Sequence, residues 1–170
     1  MRFQLLDRID HIEPGRRIKA TRTLRPDEEY LCDHFPRFAV MPGVLMLEAM
    51  FQAAMWLVLE TEDYQRPFVA LKEVRNIRYT DFVTPNQTLI VTAEIIRSNE
   101  HLYKLKVEGR IGDSVAVSGR LALETTHLVD QWSSQGPSEG YVQHHLRDLY
   151  RELYPGTTTV GDSANECEHN

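Results

Sequence analysis

The chain has 170 residues, 42% of them hydrophobic and 26% charged, values of an ordinary globular domain that exclude a collagenous or wholly disordered chain. At this length roughly two thirds of the unfolded surface can be buried, and two cysteines, Cys32 and Cys167, exclude a disulfide scaffold and fit the reducing cytoplasm. The net charge of −6 lies in the C-terminal part: residues 1–123 hold 17 Lys/Arg and 17 Asp/Glu, residues 124–170 two and eight, so the main domain lacks the basic footprint of nucleic-acid binding.

Residues 3–12 and 17–24 read as two strands joined by a turn at Glu13-Pro14-Gly15. Residues 1–25 mix charges throughout and carry no uninterrupted apolar core, so no signal peptide is expected. They hold seven Arg/Lys against three acids, and residues 66–78 hold four against one. Two readings stay open for these clusters: a local positive patch for an acidic partner, or solvated strand faces.

Residues 25–43 form a proline-containing loop, with Pro26, Pro36, Pro42 and Gly43. An apolar helix follows from Val44 to Glu60. Its 17 residues are short for a membrane span, and Glu48 would lie unpaired in the bilayer, so a helix buried in a soluble protein fits better. Strand patterns then dominate, over 68–79, 88–97, 101–111 and 114–124, with turns at Thr84-Pro85-Asn86, Ser98-Asn99 and Gly112-Asp113. Alternation such as Leu89, Val91, Ala93 and Ile95 predicts antiparallel strands with one covered face. A nearly all-apolar helix is covered on several sides when a curved sheet wraps it. The fold class is therefore α+β. The division expected is a domain over 1–125, a linker over 126–140, an amphipathic helical extension over 141–155 and a disordered tail over 156–170.

Residues 33–52 hold the residues that can carry chemistry. Glu48 is the sole ionisable side chain in the apolar helix before its terminal Glu60, with Gln52 one turn later on the same face. Burial there favours the protonated carboxyl, which can act as a general acid, with Gln52 orienting it. His34, in the loop, is the natural base near neutral pH. The helix start after Pro42, at Gly43 and Val44, offers unpaired N–H groups that can polarise a carbonyl oxygen and stabilise an enolate. Base, acid and donors so close in sequence suit proton removal beside a carbonyl with loss of a β-hydroxyl. Taken alone, the spacing is only suggestive, because loop histidines and buried Glu–Gln pairs more often serve structure. His144, His145 and Asp148 invite a metal reading, but adjacent histidines on a helix point about 100° apart and make a poor chelate. No metal site, glycine-rich phosphate loop or serine nucleophile elbow is expected.

The string HFPRFAVMPGVLMLEAMFQ, residues 34–52, resembles the active-site segment of the FabA/FabZ-type β-hydroxyacyl-acyl-carrier-protein dehydratases. The 14-residue interval from His34 to Glu48 matches, as do Phe35, Pro42-Gly43, Leu45, Ala49 and Gln52. The likeness extends more loosely over residues 3–124. It implies a hotdog fold, a long helix wrapped by a curved antiparallel sheet. It also implies homodimers, in some members assembled as trimers of dimers, with each active site at the subunit boundary and the histidine of one chain facing the acid of the other. By position, His34 is the base that takes the α-proton and Glu48 the acid that donates to the departing hydroxyl. The Gly43 and Val44 amides bind the thioester carbonyl, and Gln52, Pro42 and Phe35 support the site. The substrate implied is an acyl-carrier-protein-linked 3-hydroxyacyl thioester, with no metal and no organic cofactor. Glu at 48 is more similar to the FabZ branch, which dehydrates without isomerising. Asp33, Glu73 and Asn86 each stand where the family commonly has glycine. Two other functions remain open: a hotdog thioesterase, which would release free thiol, and a non-catalytic hotdog that binds an acyl carrier.

Overall fold

The computed structural model describes residues 4–33, 37–128 and 138–155. Six strands form one antiparallel sheet: β1 (Arg8–Glu13), β2 (Arg17–Thr23), β3 (Phe68–Tyr79), β4 (Thr88–Asn99), β5 (Leu102–Ile111) and β6 (Ser114–Thr126), in the order β1-β2-β4-β5-β6-β3. A one-turn helix, α1 (Tyr30–Asp33), precedes the long α2 (Gly43–Thr61), and α3 (Glu139–Leu153) follows the sheet. From β2 the chain passes through α2 to β3 at the far edge, then returns to place β4 beside β2.

Alternation explains which face carries the core. Ile18 and Ala20 on β2, Leu89, Val91 and Ala93 on β4, and Tyr103, Leu105 and Val107 on β5 are buried, with the intervening residues outward. They pack on α2, whose Met46, Ala49, Met50, Ala53, Leu57 and Val58 are buried in turn. Each large apolar side chain so buried contributes about 1.5–3 kcal/mol. Among the described residues α2 alone is long and apolar enough to cross a bilayer, and here the sheet wraps it. A curved antiparallel sheet around a long helix is the hotdog arrangement.

The end of α2 is fastened by one buried carboxylate. Glu62 accepts hydrogen bonds from Arg66 (Nη2, 2.8 Å), the Tyr103 hydroxyl (2.9 Å) and Thr125 Oγ1 (2.9 Å), tying the helix to β5 and β6. A second buried ionic group, Arg22, bridges Asp7 and Glu28.

The structure corrects several sequence expectations. Residues 4–6 are not strand: consecutive Leu5 and Leu6 break the alternation, and both are buried against the core. The expected loop contains α1, and α2 begins one residue earlier than Val44. In the first basic cluster acids take up part of the charge: Arg8 pairs with Asp10, and Arg16 and Arg17 share Glu13. In the second cluster Arg66 pairs with Glu62, Lys72 with Glu124, and Arg75 with Glu73. The tail 156–170 and most of the expected linker, residues 129–137, lie outside the described residues.

Helix α3 starts at the N-cap Ser138, whose hydroxyl accepts from the Tyr141 N–H. Its buried Tyr150 meets Trp56 of α2 with ring centroids 6.0 Å apart. Arg147 binds Asp63 Oδ1 at 2.8 Å and lies 4.8 Å over the Tyr64 ring, so α3 is docked on the C-terminal half of α2.

Candidate active site

Proline starts α2 where no side-chain cap does. Pro42 sits at the N-cap with φ −55° and ψ 138°, and its carbonyl accepts from the N–H groups of Leu45 (2.9 Å) and Met46 (3.2 Å). Among the described residues the N–H groups of Gly43 and Val44 have no acceptor, so two helix-start donors are available at the positive end of the helix. The Met41 N–H bonds the Val83 carbonyl at 2.8 Å, which anchors the approach to this turn. At Gly43 a Cβ would stand 3.0 Å from the exposed Tyr79 ring, a contact close enough that the ring would have to shift.

Two of the three departures from the family pattern are locally accommodated. Asn86 adopts φ +70°, a left-handed conformation that asparagine tolerates better than most side chains, and its N–H donates to the Leu24 carbonyl at 2.7 Å. Glu73 is exposed and paired with Arg75 at 2.7 Å. Asp33 ends α1 and is exposed.

Farther along α2, Gln52 Nε2 donates to Glu48 Oε1 at 2.9 Å, while Gln52 Oε1 accepts the Leu5 N–H at 2.8 Å. The carboxamide is 8% exposed and thus fixes Glu48 from a position that the N-terminal segment itself holds. Glu48 is half-buried, not enclosed as the sequence implied, because the helix face carrying Val44, Leu47, Glu48, Phe51 and Met55 is turned away from full cover by the sheet. Glu48 and Gln52 line a groove of about 360 Å³ together with Phe51, Met55 and Trp56 of α2 and His145, Leu146, Leu149 and Leu153 of α3. Gly43, Val44, Glu48 and Gln52 are therefore carried on one rigid helix. His34, Phe35 and Pro36 lie outside the described residues.

The groove wall from α3 was missed by sequence reasoning, which treated His144 and His145 only as a poor metal pair. His144 turns to Asp148 at 3.3 Å, whereas His145 stacks on Tyr141 and reaches the groove lining. The spacing of Leu146, Leu149 and Leu153 was the available signal. Also unforeseen is an exposed apolar patch near the start of α2: Phe38 meets Phe82 edge-on at 5.6 Å, and exposed Val44 and Tyr79 lie at the same helix end.

The sheet and helix define a hotdog protein with an acid-bearing groove, and comparison with known proteins places it further. A FabA-like domain model matches residues 1–120. The 3-hydroxyacyl-[acyl-carrier-protein] dehydratase FabZ of Lactobacillus helveticus is 34% identical over 116 residues, covering 68% of this chain and 78% of that protein. The enzyme of that name from Ralstonia nicotianae is 35% identical over 120 residues, covering 69% and 73%. Among solved structures, the dehydratase heterocomplex ApeI:P from Xenorhabdus doucetiae matches with a TM-score of 0.62 at 19% identity, over 75% of this chain and 86% of that one. A mutant of the fluoroacetyl-CoA-specific thioesterase FlK matches at 0.58 and 18%, over 72% and 93%. At such identities these two likenesses bear on the fold alone. The chain belongs to the FabZ-type dehydratase family.

Proposed function

We propose that the chain removes water from 3-hydroxyacyl thioesters carried on acyl carrier protein, giving the trans-2-enoyl thioester in fatty-acid synthesis. In this reading the His34 imidazole takes the proton from C2. The charge that develops on the thioester oxygen is met by the N–H groups of Gly43 and Val44. The C3–O bond then breaks as Glu48 delivers a proton to the leaving hydroxyl, which departs as water; the proton gained by His34 balances the one given by Glu48. Gln52 occupies Oε1 of Glu48, which leaves Oε2 to face the hydroxyl. The chain's own groups account for every proton moved, and no metal or organic cofactor enters.

The observation that carries the proposal is the Leu5–Gln52–Glu48 chain of hydrogen bonds beside an apolar groove, on a helix whose first two N–H groups find no acceptor among the described residues. Family membership supplies the reaction class. A homodimer with the site at the subunit boundary, where His34 of one protomer meets Glu48 of the other, belongs to the same proposal, as does further assembly into a trimer of dimers. The sheet edges support it. β1 is short, charged and bulged between Ile9 and His11, features that discourage pairing. β3 is charged too and bulges between Leu71 and Glu73 and between Arg75 and Arg78, but it is twice as long as β1, exposes Leu71 and Val74 and continues to the patch around Tyr79 and Phe82. A second copy pairing along β3 would cover both. The setting proposed is cytoplasmic, in keeping with exposed, unpaired Cys32.

The test is hydration of crotonyl-acyl-carrier-protein, followed as loss of enoyl absorbance. Wild-type chain should turn over, and His34→Ala should lose about 10²–10⁴-fold, the worth of a general base. Undiminished turnover by His34→Ala would overturn the mechanism.

A further inference from the structure

We infer that α3, which lies beyond the family domain, forms the outer wall of the acyl-binding groove, so that its leucines set the length of acyl chain the site accepts. The inference rests on the dehydratase reading and extends it to specificity. Three observations meet here. First, the FabA-like match ends at residue 120, whereas α3 begins at Glu139. The wall it builds therefore lies outside the residues that the family model matches.

Second, α3 is held firmly against the end of α2. Tyr150 and Leu153 are buried, Tyr150 lies against Trp56, and Arg147 binds Asp63. The helix is thus a rigid partition. Leu146 and Leu149 are left only partly buried across the gap from Phe51 and Met55.

Third, the groove sets polar groups into apolar walls. Glu48, Gln52, Gln4 and His145 are polar, and the rest of the lining is apolar. A 3-hydroxyacyl chain needs the same combination, a hydrogen-bonding partner for its hydroxyl and apolar surface for its hydrocarbon. Seating the hydroxyl at Glu48 sends the alkyl tail between Phe51 and Met55 on one side and Leu146 and Leu149 on the other. A second copy of the chain is better served by the β3 edge and the aromatic patch. The occupant assigned to this groove is accordingly the acyl tail. Specificity follows from apolar area: one methylene more or less in such a pocket changes kcat/KM by roughly 10–200-fold.

The test uses the full chain with Leu149→Trp, which fills the groove, and Leu149→Ala, which enlarges it. The readout is the ratio of kcat/KM for long-chain over short-chain 3-hydroxyacyl-carrier-protein. Leu149→Trp should lower the ratio by at least about tenfold, and Leu149→Ala should raise it severalfold. In parallel, binding of a dansyl-labelled fatty acid should weaken about tenfold in Leu149→Trp and persist in Glu48→Gln. Circular dichroism establishes that each variant is folded, and Leu149→Ala decides if the tryptophan is not accommodated. Ratios within about twofold of wild type, with unchanged probe binding, would overturn the role of α3 while leaving the dehydratase reading intact. Absence of turnover in the wild-type chain would instead sink the dehydratase reading, and probe binding alone would then decide whether the groove holds an acyl chain.

Discussion

Replacing Gln52 separates the two jobs its carboxamide performs. Gln52→Leu conserves approximate volume but removes the acceptor for the Leu5 N–H and the donor to Glu48. Leu5 is 4% exposed, so its amide would be left unsatisfied out of water, at a cost of about 1–3 kcal/mol. Loss of the bond to half-buried Glu48 adds about 0.5–1.5 kcal/mol, and the apolar replacement returns about 1 kcal/mol. The net expectation is about 1–3 kcal/mol, or a fall of about 3–10 °C in Tm for a chain of this size. Glu48, released from its donor, should lose about tenfold in kcat with little change in KM, as befits loss of positioning in the transition state. Gln52→Glu keeps an acceptor for Leu5 but sets two carboxylates together, so one must hold a proton. A carboxyl whose folded pKa is raised contributes stability that is present at low pH and lost as pH rises through that value. Gln52→Glu should therefore match wild type near pH 4 and fall behind it by pH 7 (both pH values approximate). Denaturant unfolding at fixed protein concentration and the hydration assay give both quantities. Gln52→Leu with stability within about 0.5 kcal/mol and kcat within about twofold of wild type would refute the reasoning.

Two further outcomes follow from the fastening at the end of α2. Glu62→Ala leaves Tyr103, Thr125 and Arg66 without their shared acceptor, and breaking a buried ionic pair from one side costs about 3–5 kcal/mol; the denaturation midpoint should fall accordingly, with Glu62→Gln intermediate. Burial first, and then the bond to Glu62, pushes the Tyr103 hydroxyl up from 10.0 to about 12. Because the folded value is raised, its contribution is intact below pH 10 and is lost as pH climbs toward 12. Burial likewise raises Tyr64 and Tyr150. Tyrosinate absorbance and near-ultraviolet dichroism should thus change together in that window, with a smaller alkaline loss in Tyr103→Phe.

Much of this architecture was legible because the periods differ so cleanly. Leu89, Val91 and Ala93 alternate, and residues 44–59 are apolar on almost every face, so a strand set around one helix was the economical solution. Boundaries failed where local pattern gave no signal. Leu5 and Leu6 are both buried because Gln52, nearly fifty residues away, captures the Leu5 N–H, and nothing in the neighbouring sequence announces that bond. Charge pairing was equally hidden: counting placed Arg16 and Arg17 in a basic cluster, and both reach Glu13 across the hairpin turn. At the site, helix periodicity correctly put Glu48 and Gln52 on one face, and their hydrogen bond is present. The α3 wall escaped because an amphipathic stripe states that a helix docks without stating on what. Asn86 shows the reverse case, a departure from pattern whose left-handed φ keeps the turn.

The central claim is that His34 of one protomer works with Glu48 of the other. Mixing two inactive chains, His34→Ala and Glu48→Gln, under conditions that exchange subunits tests it directly. Random pairing makes half of the dimers mixed, and each mixed dimer has one site with both native groups, so hydration of crotonyl-acyl-carrier-protein should recover to about a quarter of the wild-type rate. A mixture that exchanges subunits yet stays as inert as its parents would contradict the shared site.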